Sequence, residues 1–112
     1  MTLTIGDRKR LQPFVYLNDS IIDFRLRHFM RTILPVEVSS RTHVFSCQFF
    51  TRLSQEKDPF EAYKLVSSWT KQIDLLSLDF IVVPINDGAH WSLTIIVRPF
   101  LALKNLVCCQ SR

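Results

Sequence analysis

The sequence predicts an α+β protein in which helices come first and an antiparallel sheet follows them. Two observations support this class. Apolar residues recur at helical spacing between Ile22 and Ile73, and from Phe80 onward they form runs and alternations typical of strands. With 112 residues, of which 47% are hydrophobic and 12% aromatic, the chain is long enough to form one domain with its own core.

The first strong helix signal follows three residues that favour helix N-caps, Asn18-Asp19-Ser20. Apolar residues then recur in steps of three and four up to Pro35, which predicts an amphipathic helix ending before that proline. The residues of this predicted apolar face are Ile22, Leu26, Phe29, Met30 and Ile33. Nearer the N-terminus, Leu3 to Ile5 is interpreted as a short edge strand or an irregular arm.

Two further helices are predicted after a loop from Pro35 to Thr42. The spacing from Phe45 to Leu53 favours a second helix of about three turns. Pro59 suits the first turn of a third helix, whose apolar face is Ala62, Leu65, Val66, Trp69 and Ile73. We expect Trp69 to lie in the core, and Cys47 to be a small buried hydrophobic residue without activation.

The last part of the sequence predicts a β-hairpin. The run from Phe80 to Ile85 has the composition of a covered strand, although Pro84 must lie near its end or at a gap in the hydrogen-bond ladder. Asp87-Gly88 supplies a tight turn, and alternation from Trp91 to Val97 predicts the second strand.

Charge and cysteine content exclude some classes of function. The formal net charge is only +4 and the basic residues are scattered apart from Arg8-Lys9-Arg10, a triplet read as a solvated turn, so nucleic-acid binding is not favoured. No apolar run approaches the ~20 residues that span a bilayer, and no leader is recognised. The odd number of cysteines forms no disulfide framework. We therefore expect a soluble intracellular protein, nuclear or cytoplasmic, with no membrane partner.

His90 is the candidate catalytic residue. It lies where the second predicted strand begins after the turn, at the rim of the sheet. A histidine in this position is a general base only if a nucleophile and an orienting group accompany it. From the residues alone, a structural role for His90 stays open, and His28 and His43 are interpreted as structural.

Three segments resemble the ubiquitin-like-protein-specific cysteine proteases, the family of SUMO and sentrin proteases. They are Tyr16 to Phe24 (YLNDSIIDF), Val44 to Phe50 (VFSCQFF) and Asp79 to Pro99, which contains PINDGAHWSL. Their order matches the family, and the likeness covers most of residues 10 to 99. The resemblance implies a papain-like (adenain-like) cysteine protease fold, present here in truncated form.

The resemblance also implies site residues. His90 matches the catalytic histidine that accepts the proton of a cysteine thiol. Trp91 matches a wall of the narrow channel that admits the Gly-Gly end of the substrate, and Tyr16 stands where the family has the facing tryptophan. Asn18 and Asp19 match the segment near the bound ubiquitin-like protein, although Asp19 is alternatively only a helix cap.

The family's Asp and Cys have no match, because no Asp or Glu follows Asp87 and Cys108 and Cys109 lack the expected surroundings. We therefore interpret residues 1–99 as the N-terminal part of a protease domain, residues 100–112 as an unrelated tail, and the chain as an inactive fragment whose partner is SUMO or another ubiquitin-like protein and its conjugates.

Alternatives remain. The chain is alternatively a non-catalytic module that binds a ubiquitin-like protein, and an unpaired sheet edge makes aggregation a competing outcome. A metal site from His43, Cys47, Cys108 and Cys109 lacks a usual ligand spacing. We expect no metal, no cofactor and a monomer.

Overall fold

The computed structural model of the chain describes residues 2–102, which form helices on both sides of a small sheet. The α+β class is confirmed. In chain order the elements are α1 (Ile5–Lys9), α2 (Asp19–Thr32), α3 (Val36–Ser39), β1 (Thr42–Val44), α4 (Cys47–Leu53), α5 (Pro59–Thr70), a 3₁₀ turn (Leu75–Ser77), β2 (Phe80–Asp87) and β3 (His90–Val97).

The sheet has the order β1-β2-β3, so β2 lies in the centre. β1 runs parallel to β2 with Thr42 opposite Phe80, whereas β3 runs antiparallel. The expectation of an antiparallel sheet was therefore right for the hairpin and wrong for β1, which lies at the end of the segment read as a loop. β1 has only three residues, too few to show the alternation by which a strand is recognised.

The hairpin formed by β2 and β3 is confirmed. Its register runs from Phe80 opposite Val97 to Asp87 opposite His90, which leaves Gly88 and Ala89 as a two-residue loop. Gly88 has φ of 64°, and Ala89 is not among the residues with positive φ. A positive φ at the first central position alone is typical of a type II′ turn, whose twist matches that of the strands it joins.

Pro84 lies in the middle of β2 and is almost fully buried, rather than near the end of the strand. The predicted gap in the ladder explains why a proline is tolerated there. The backbone N–H of Phe45 donates to the Val82 carbonyl at 3.0 Å, and this is where β1 gives way to α4. Because alternate residues of a strand turn their backbone groups to the same side, Pro84 directs its nitrogen to the side that β1 has already left.

The core lies between β2 and the helices that follow β1. Phe45, Ile81 and Val83 are buried at its centre. Partly buried apolar side chains surround them, namely Phe49, Phe50, Leu75, Leu78 and Ile85. The rings of Phe45 and Phe49 stack with their centroids 3.8 Å apart.

α2 begins and ends as predicted, with Asn18 as its N-cap and its last residue before Pro35. Its apolar face is only partly covered: Ile21 is buried, whereas Phe29 and Ile33 are 38% and 50% exposed. Ile22, Arg25 and Leu26 of α2 lie beside Pro84 of the sheet.

The expectation of a short strand from Leu3 to Ile5 was wrong. Leu3 and Thr4 are irregular, as the alternative of an irregular arm expected, but α1 begins at Ile5. The Thr4 hydroxyl accepts the Asp7 N–H at 3.1 Å and the Asp7 carboxylate accepts the Thr4 N–H at 2.9 Å. This reciprocal capping box satisfies two backbone donors that a helix start leaves free.

The predicted second helix is shorter than expected. Phe45 precedes it, Ser46 caps it, and α4 has seven residues, or about two turns. The predicted loop after Pro35 also contains the single turn of α3, from Val36 to Ser39.

The third predicted helix is confirmed as α5, with Asp58 as N-cap and Pro59 in its first turn, but it ends at Thr70, so Ile73 of the predicted apolar face lies outside it. Ala62 and Val66 are buried, but Trp69 is 38% exposed, so the expectation of a core tryptophan was wrong. Trp69 lies one residue before the end of α5. Its ring contacts the ring of Phe49, a partly buried residue at the edge of the core.

Within residues 2–102, no helix combines the length and the apolarity that crossing a bilayer requires.

A matched pair of substitutions tests the assignment of the core face. Ile81 is 4% exposed and Ile95 on the neighbouring strand is 53% exposed. Ile81→Ala is expected to lower the free energy of unfolding by about 2–5 kcal/mol, because it removes buried methylenes and leaves a cavity. Ile95→Ala is expected to cost much less. Urea denaturation measures both, and equal losses would contradict the assigned faces.

Candidate active site

The hairpin presents His90 at the rim of the sheet. His90 is the first residue of β3, lies opposite Asp87 across the turn, and has an exposed side chain. Its imidazole makes no hydrogen bond to any other residue between 2 and 102. The strand therefore fixes the backbone of His90 and leaves the ring free to meet a group from outside.

Trp91 connects the strand to a distant part of the chain. Its indole Nε1 donates a hydrogen bond of 3.0 Å to the Leu17 carbonyl, 74 residues earlier in the sequence. A half-buried indole needs a partner for its single N–H, and this bond also restricts rotation of the ring. The bond thus places the Leu17 backbone, between Tyr16 and Asn18, beside the start of β3.

The residues next to Leu17 have different environments. Tyr16 is 68% exposed, so its ring is available for contact. Both ends of the Asn18 side-chain amide form hydrogen bonds. Its Oδ1 accepts the Ile21 N–H at 3.0 Å, and its Nδ2 donates to Asp7 Oδ1 at 2.8 Å. Asn18 is therefore a structural residue that joins α1 to α2, and any contact with a partner adds to that role.

Asp19 also has a partner within the chain. It is the first residue of α2, after the Asn18 cap, and its Oδ2 accepts a hydrogen bond from Gln48 Nε2 on α4. The alternative that Asp19 is only a helix cap is therefore wrong, because Asn18 makes the capping bond. The bond from Gln48 to Asp19 connects α4 to α2. The negative charge of Asp19 lies at the N-terminus of α2, where the helix dipole stabilises it.

A groove lies between α2 and the hairpin, with a volume of about 310 Å³. It is lined mainly by apolar groups, and Trp91 forms part of its wall. The lining residues are Ile22, Arg25 and Leu26 from α2 and Pro84, Trp91, Ser92 and Leu93 from the hairpin.

Cys47 is 1% exposed and begins α4, which confirms its interpretation as a buried hydrophobic residue. A helix N-terminus favours a thiolate, but here other effects prevail. Burial raises the pKa of the Cys47 thiol well above its ordinary value, and Asp23 raises it further. The Asp23 carboxylate accepts the Cys47 N–H at 2.9 Å. Cys47 is therefore a neutral thiol, unsuited to nucleophilic attack.

The other two histidines take no part in the site. His43 packs edge-on against Phe45 at 4.5 Å between ring centroids, and burial lowers its pKa. His28 lies on α2, where its ring contacts Arg25 and Thr32. Both fit the structural roles expected of them.

No group of three or more His, Cys, Asp or Glu side chains in the described part of the chain is arranged to hold a metal ion. Cys108 and Cys109, with most of the tail, lie outside the described residues, so the structure does not test the metal alternative that included them, and the expectation of no metal stays a prediction.

The sequence did not reveal two of these connections. The spacing of Thr4 and Asp7 matches a capping box and could have predicted α1, but nothing in the sequence indicates that Asp7 meets Asn18. The bond between Asp19 and Gln48 was equally hidden, since 29 residues separate the two.

Solved structures share this fold. A structure described as the de-sumoylating protease superimposes with a TM-score of 0.76 and 31% identity, over 92% of this chain and 40% of that one. The C-terminal Ulp1 protease domain in complex with Smt3, the yeast ortholog of SUMO, matches with a TM-score of 0.62 and 31% identity, over 85% of this chain and 39% of that one. The fold is thus that of the Ulp1 SUMO proteases.

Sequence comparison gives the same result. The model of the Ulp1 protease family, C-terminal catalytic domain, matches residues 15–100. The chain therefore belongs to the Ulp1 protease family. It is 41% identical over 100 residues to probable ubiquitin-like-specific protease 2A of Arabidopsis thaliana, covering 83% of this chain and 13% of that protein.

Animal relatives match over a similar span. The chain is 36% identical over 111 residues to sentrin-specific protease 6 of Mus musculus, covering 90% of this chain and 10% of that protein. The chain thus spans only a small share of the curated relatives it matches, and two-fifths of the solved structure described as the de-sumoylating protease.

The state of the Cys47 thiol can be tested with a thiol reagent on the chain carrying Cys108→Ser and Cys109→Ser. We expect slow labelling when folded and fast labelling in denaturant, because the neutral thiol is buried. A thiol whose pKa is raised on folding stabilises the protein below its unfolded pKa and loses this contribution as pH rises.

Stability of that variant should therefore fall more steeply with pH above the ordinary thiol pKa of 9.0 than stability of the same variant with Cys47→Ala. Fast labelling of the folded chain, or identical pH profiles for the two proteins, would contradict this assignment.

Proposed function

We propose that residues 1–99 are the His90-bearing part of a cysteine peptidase domain that cleaves after the Gly-Gly end of SUMO or a related ubiquitin-like modifier. Membership of the Ulp1 protease family supports this, as do relatives named ubiquitin-like-specific and sentrin-specific proteases. A boundary after residue 99, with an unrelated tail of residues 100–112, is part of the proposal; the family match ends at residue 100. An intracellular location, nuclear or cytoplasmic, is part of this proposal.

One observation carries the proposal, the hydrogen bond from Trp91 Nε1 to the Leu17 carbonyl. It holds the segment that contains Tyr16 against the strand that presents His90. In the proposed site His90 accepts the proton of an incoming thiol, while Trp91 and Tyr16 bound a channel too narrow for residues with large side chains. Asn18 and Asp19 contribute to the surface that contacts the modifier.

The 112-residue chain alone is proposed to be inactive. The one cysteine in its described part, Cys47, is buried and carries a raised pKa. In residues 2–102, no carboxylate makes a hydrogen bond to His90 that would fix its tautomer. A base that has neither a nucleophile to deprotonate nor an orienting partner does not form a covalent intermediate.

A second candidate function is binding of a ubiquitin-like protein without catalysis. Two observations favour it: Trp91 Nε1 donates a hydrogen bond to the Leu17 carbonyl, and the Tyr16 side chain is 68% exposed and available for contact. The proposed partner is SUMO or another ubiquitin-like protein with its conjugates, bound by a monomer. Nucleic acid, a membrane, a metal and a cofactor are not part of the proposal.

A fluorogenic substrate made from SUMO with a C-terminal reporter tests the catalytic statement. We expect no release of the reporter above the rate without protein, since no activated thiol is available. Release that persists after both Cys108→Ala and Cys109→Ala would contradict the inference that the nucleophile is missing. Release abolished by these substitutions would assign the nucleophile to the tail and contradict the proposed inactivity.

Titration of the isotope-labelled chain with SUMO tests binding. Shifts of amide resonances are expected around Tyr16 and at the start of β3, and Trp91→Ala should weaken binding because it removes an aromatic wall and frees the Leu17 segment. Trp69→Ala is the matched control, because Trp69 lies on α5 and contacts Phe49. An absence of shifts in both partners, or equal weakening by both substitutions, would refute the binding proposal.

A further inference from the structure

α1 lies outside the family match, which begins at residue 15, yet it contacts the site through one side chain. We propose that Asp7 is a positioning residue: through Asn18 it holds the Leu17 carbonyl where it orients the ring of Trp91. The consequence for binding rests on the function proposed above, whereas the consequence for the Trp91 ring does not.

The first step is the anchoring of Asp7 itself. Its Oδ2 accepts the Thr4 N–H at 2.9 Å, and its own N–H donates to Thr4 Oγ1 at 3.1 Å. The carboxylate is thereby held against α1 rather than free to rotate. The bond from the Thr4 backbone, followed by that from the Asn18 side chain, lowers the pKa of Asp7, so the group is ionised at neutral pH.

The second step passes from α1 to α2. The other oxygen of Asp7, Oδ1, accepts a hydrogen bond of 2.8 Å from Asn18 Nδ2. The opposite end of the same amide, Oδ1, accepts the Ile21 N–H at 3.0 Å. With both ends engaged, the Asn18 side chain has one orientation, and this orientation sets where the chain enters α2.

The third step is the consequence for Leu17, which directly precedes Asn18. Between α1 and Asn18, in the described part of the chain, the backbone hydrogen bonds run only to residues three positions earlier, while the Leu17 side chain lies beside α1 and α2. Phe14 has a positive φ of 63° and is fully exposed, and a backbone bond from Val15 to Gln12 stays within the segment itself. The direction of the Leu17 carbonyl therefore depends on Asn18, and through it on Asp7. That carbonyl is the acceptor for Trp91 Nε1.

Reversing the donor and acceptor tests this chain of contacts. Asn18→Asp keeps an oxygen that accepts the Ile21 N–H. It removes the N–H group that donates to Asp7 and places two carboxylates side by side, so the hydrogen bond to Asp7 is lost. Adding Asp7→Asn restores it, because the new amide donates to Asp at position 18 and its oxygen still accepts the Thr4 N–H. Glu61→Ala is the matched control, since Glu61 is an exposed acidic residue in the first turn of α5 and pairs with Lys64.

The readout is the indole N–H resonance of Trp91, measured in the full chain with Trp69→Phe so that a single indole signal remains. We expect Asn18→Asp to shift this resonance and to speed its exchange with solvent about two- to tenfold, the effect of losing one ordinary hydrogen bond. In the double variant, the chemical shift and the exchange rate of the indole N–H should return to the values measured with Asp7 and Asn18 unchanged. Glu61→Ala should leave both unchanged.

Binding to SUMO is measured on the same variants. We expect Asn18→Asp to weaken binding and the double variant to restore it. An unchanged indole signal in Asn18→Asp, or a signal that the double variant does not restore, overturns the positioning role. If the unsubstituted chain fails to bind SUMO, the binding proposal fails, and the indole signal still decides whether Asp7 positions Trp91.

Discussion

The burial of β2 is the constraint on which the rest of the structure depends. Both edges of β2 are paired at its beginning, with β1 parallel on one side and β3 antiparallel on the other. One face contributes Ile81 and Val83 to the core, and the other carries the buried Pro84 beneath α2. A strand covered in this way has a single register, because a slip by one residue would exchange its core and outer faces.

The candidate site follows from that register. β3 starts where the two-residue turn ends, so the position of His90 is determined by the pairing of Asp87 and by the conformation of Gly88. Trp91, the next residue, turns toward α2 and reaches Leu17. The site is therefore assembled from two parts of the chain that are far apart in sequence, and they meet through the hydrogen bond from Trp91 to Leu17 and through the apolar contacts of α2 with the hairpin.

Two acidic residues of α2 connect it to α4. Asp19 and Asp23, one turn apart, bind the start of α4 through Gln48 and the Cys47 backbone. Burial is the main cause of the raised pKa of the Cys47 thiol, and these acidic groups, which stabilise the N-terminus of α4, raise it further. The arrangement that joins α2 to α4 thus adds to the effect of burial in keeping the thiol neutral, which separates this cysteine from a catalytic role in a family of cysteine proteases.

By itself, the sequence determined the α2 and α5 helices, the hairpin and the candidate residue His90, because caps, turn residues and periodicity act between near neighbours. It missed β1, which is too short to show a period, and misread Leu3 to Ile5, where a capping box outweighed strand-like composition. Only the tertiary structure decided that Asp7 contacts Asn18, that Asp19 contacts Gln48 and that Trp91 contacts Leu17. Each of these bonds joins residues separated by at least 11 positions, and such pairs meet only after the elements between them have packed.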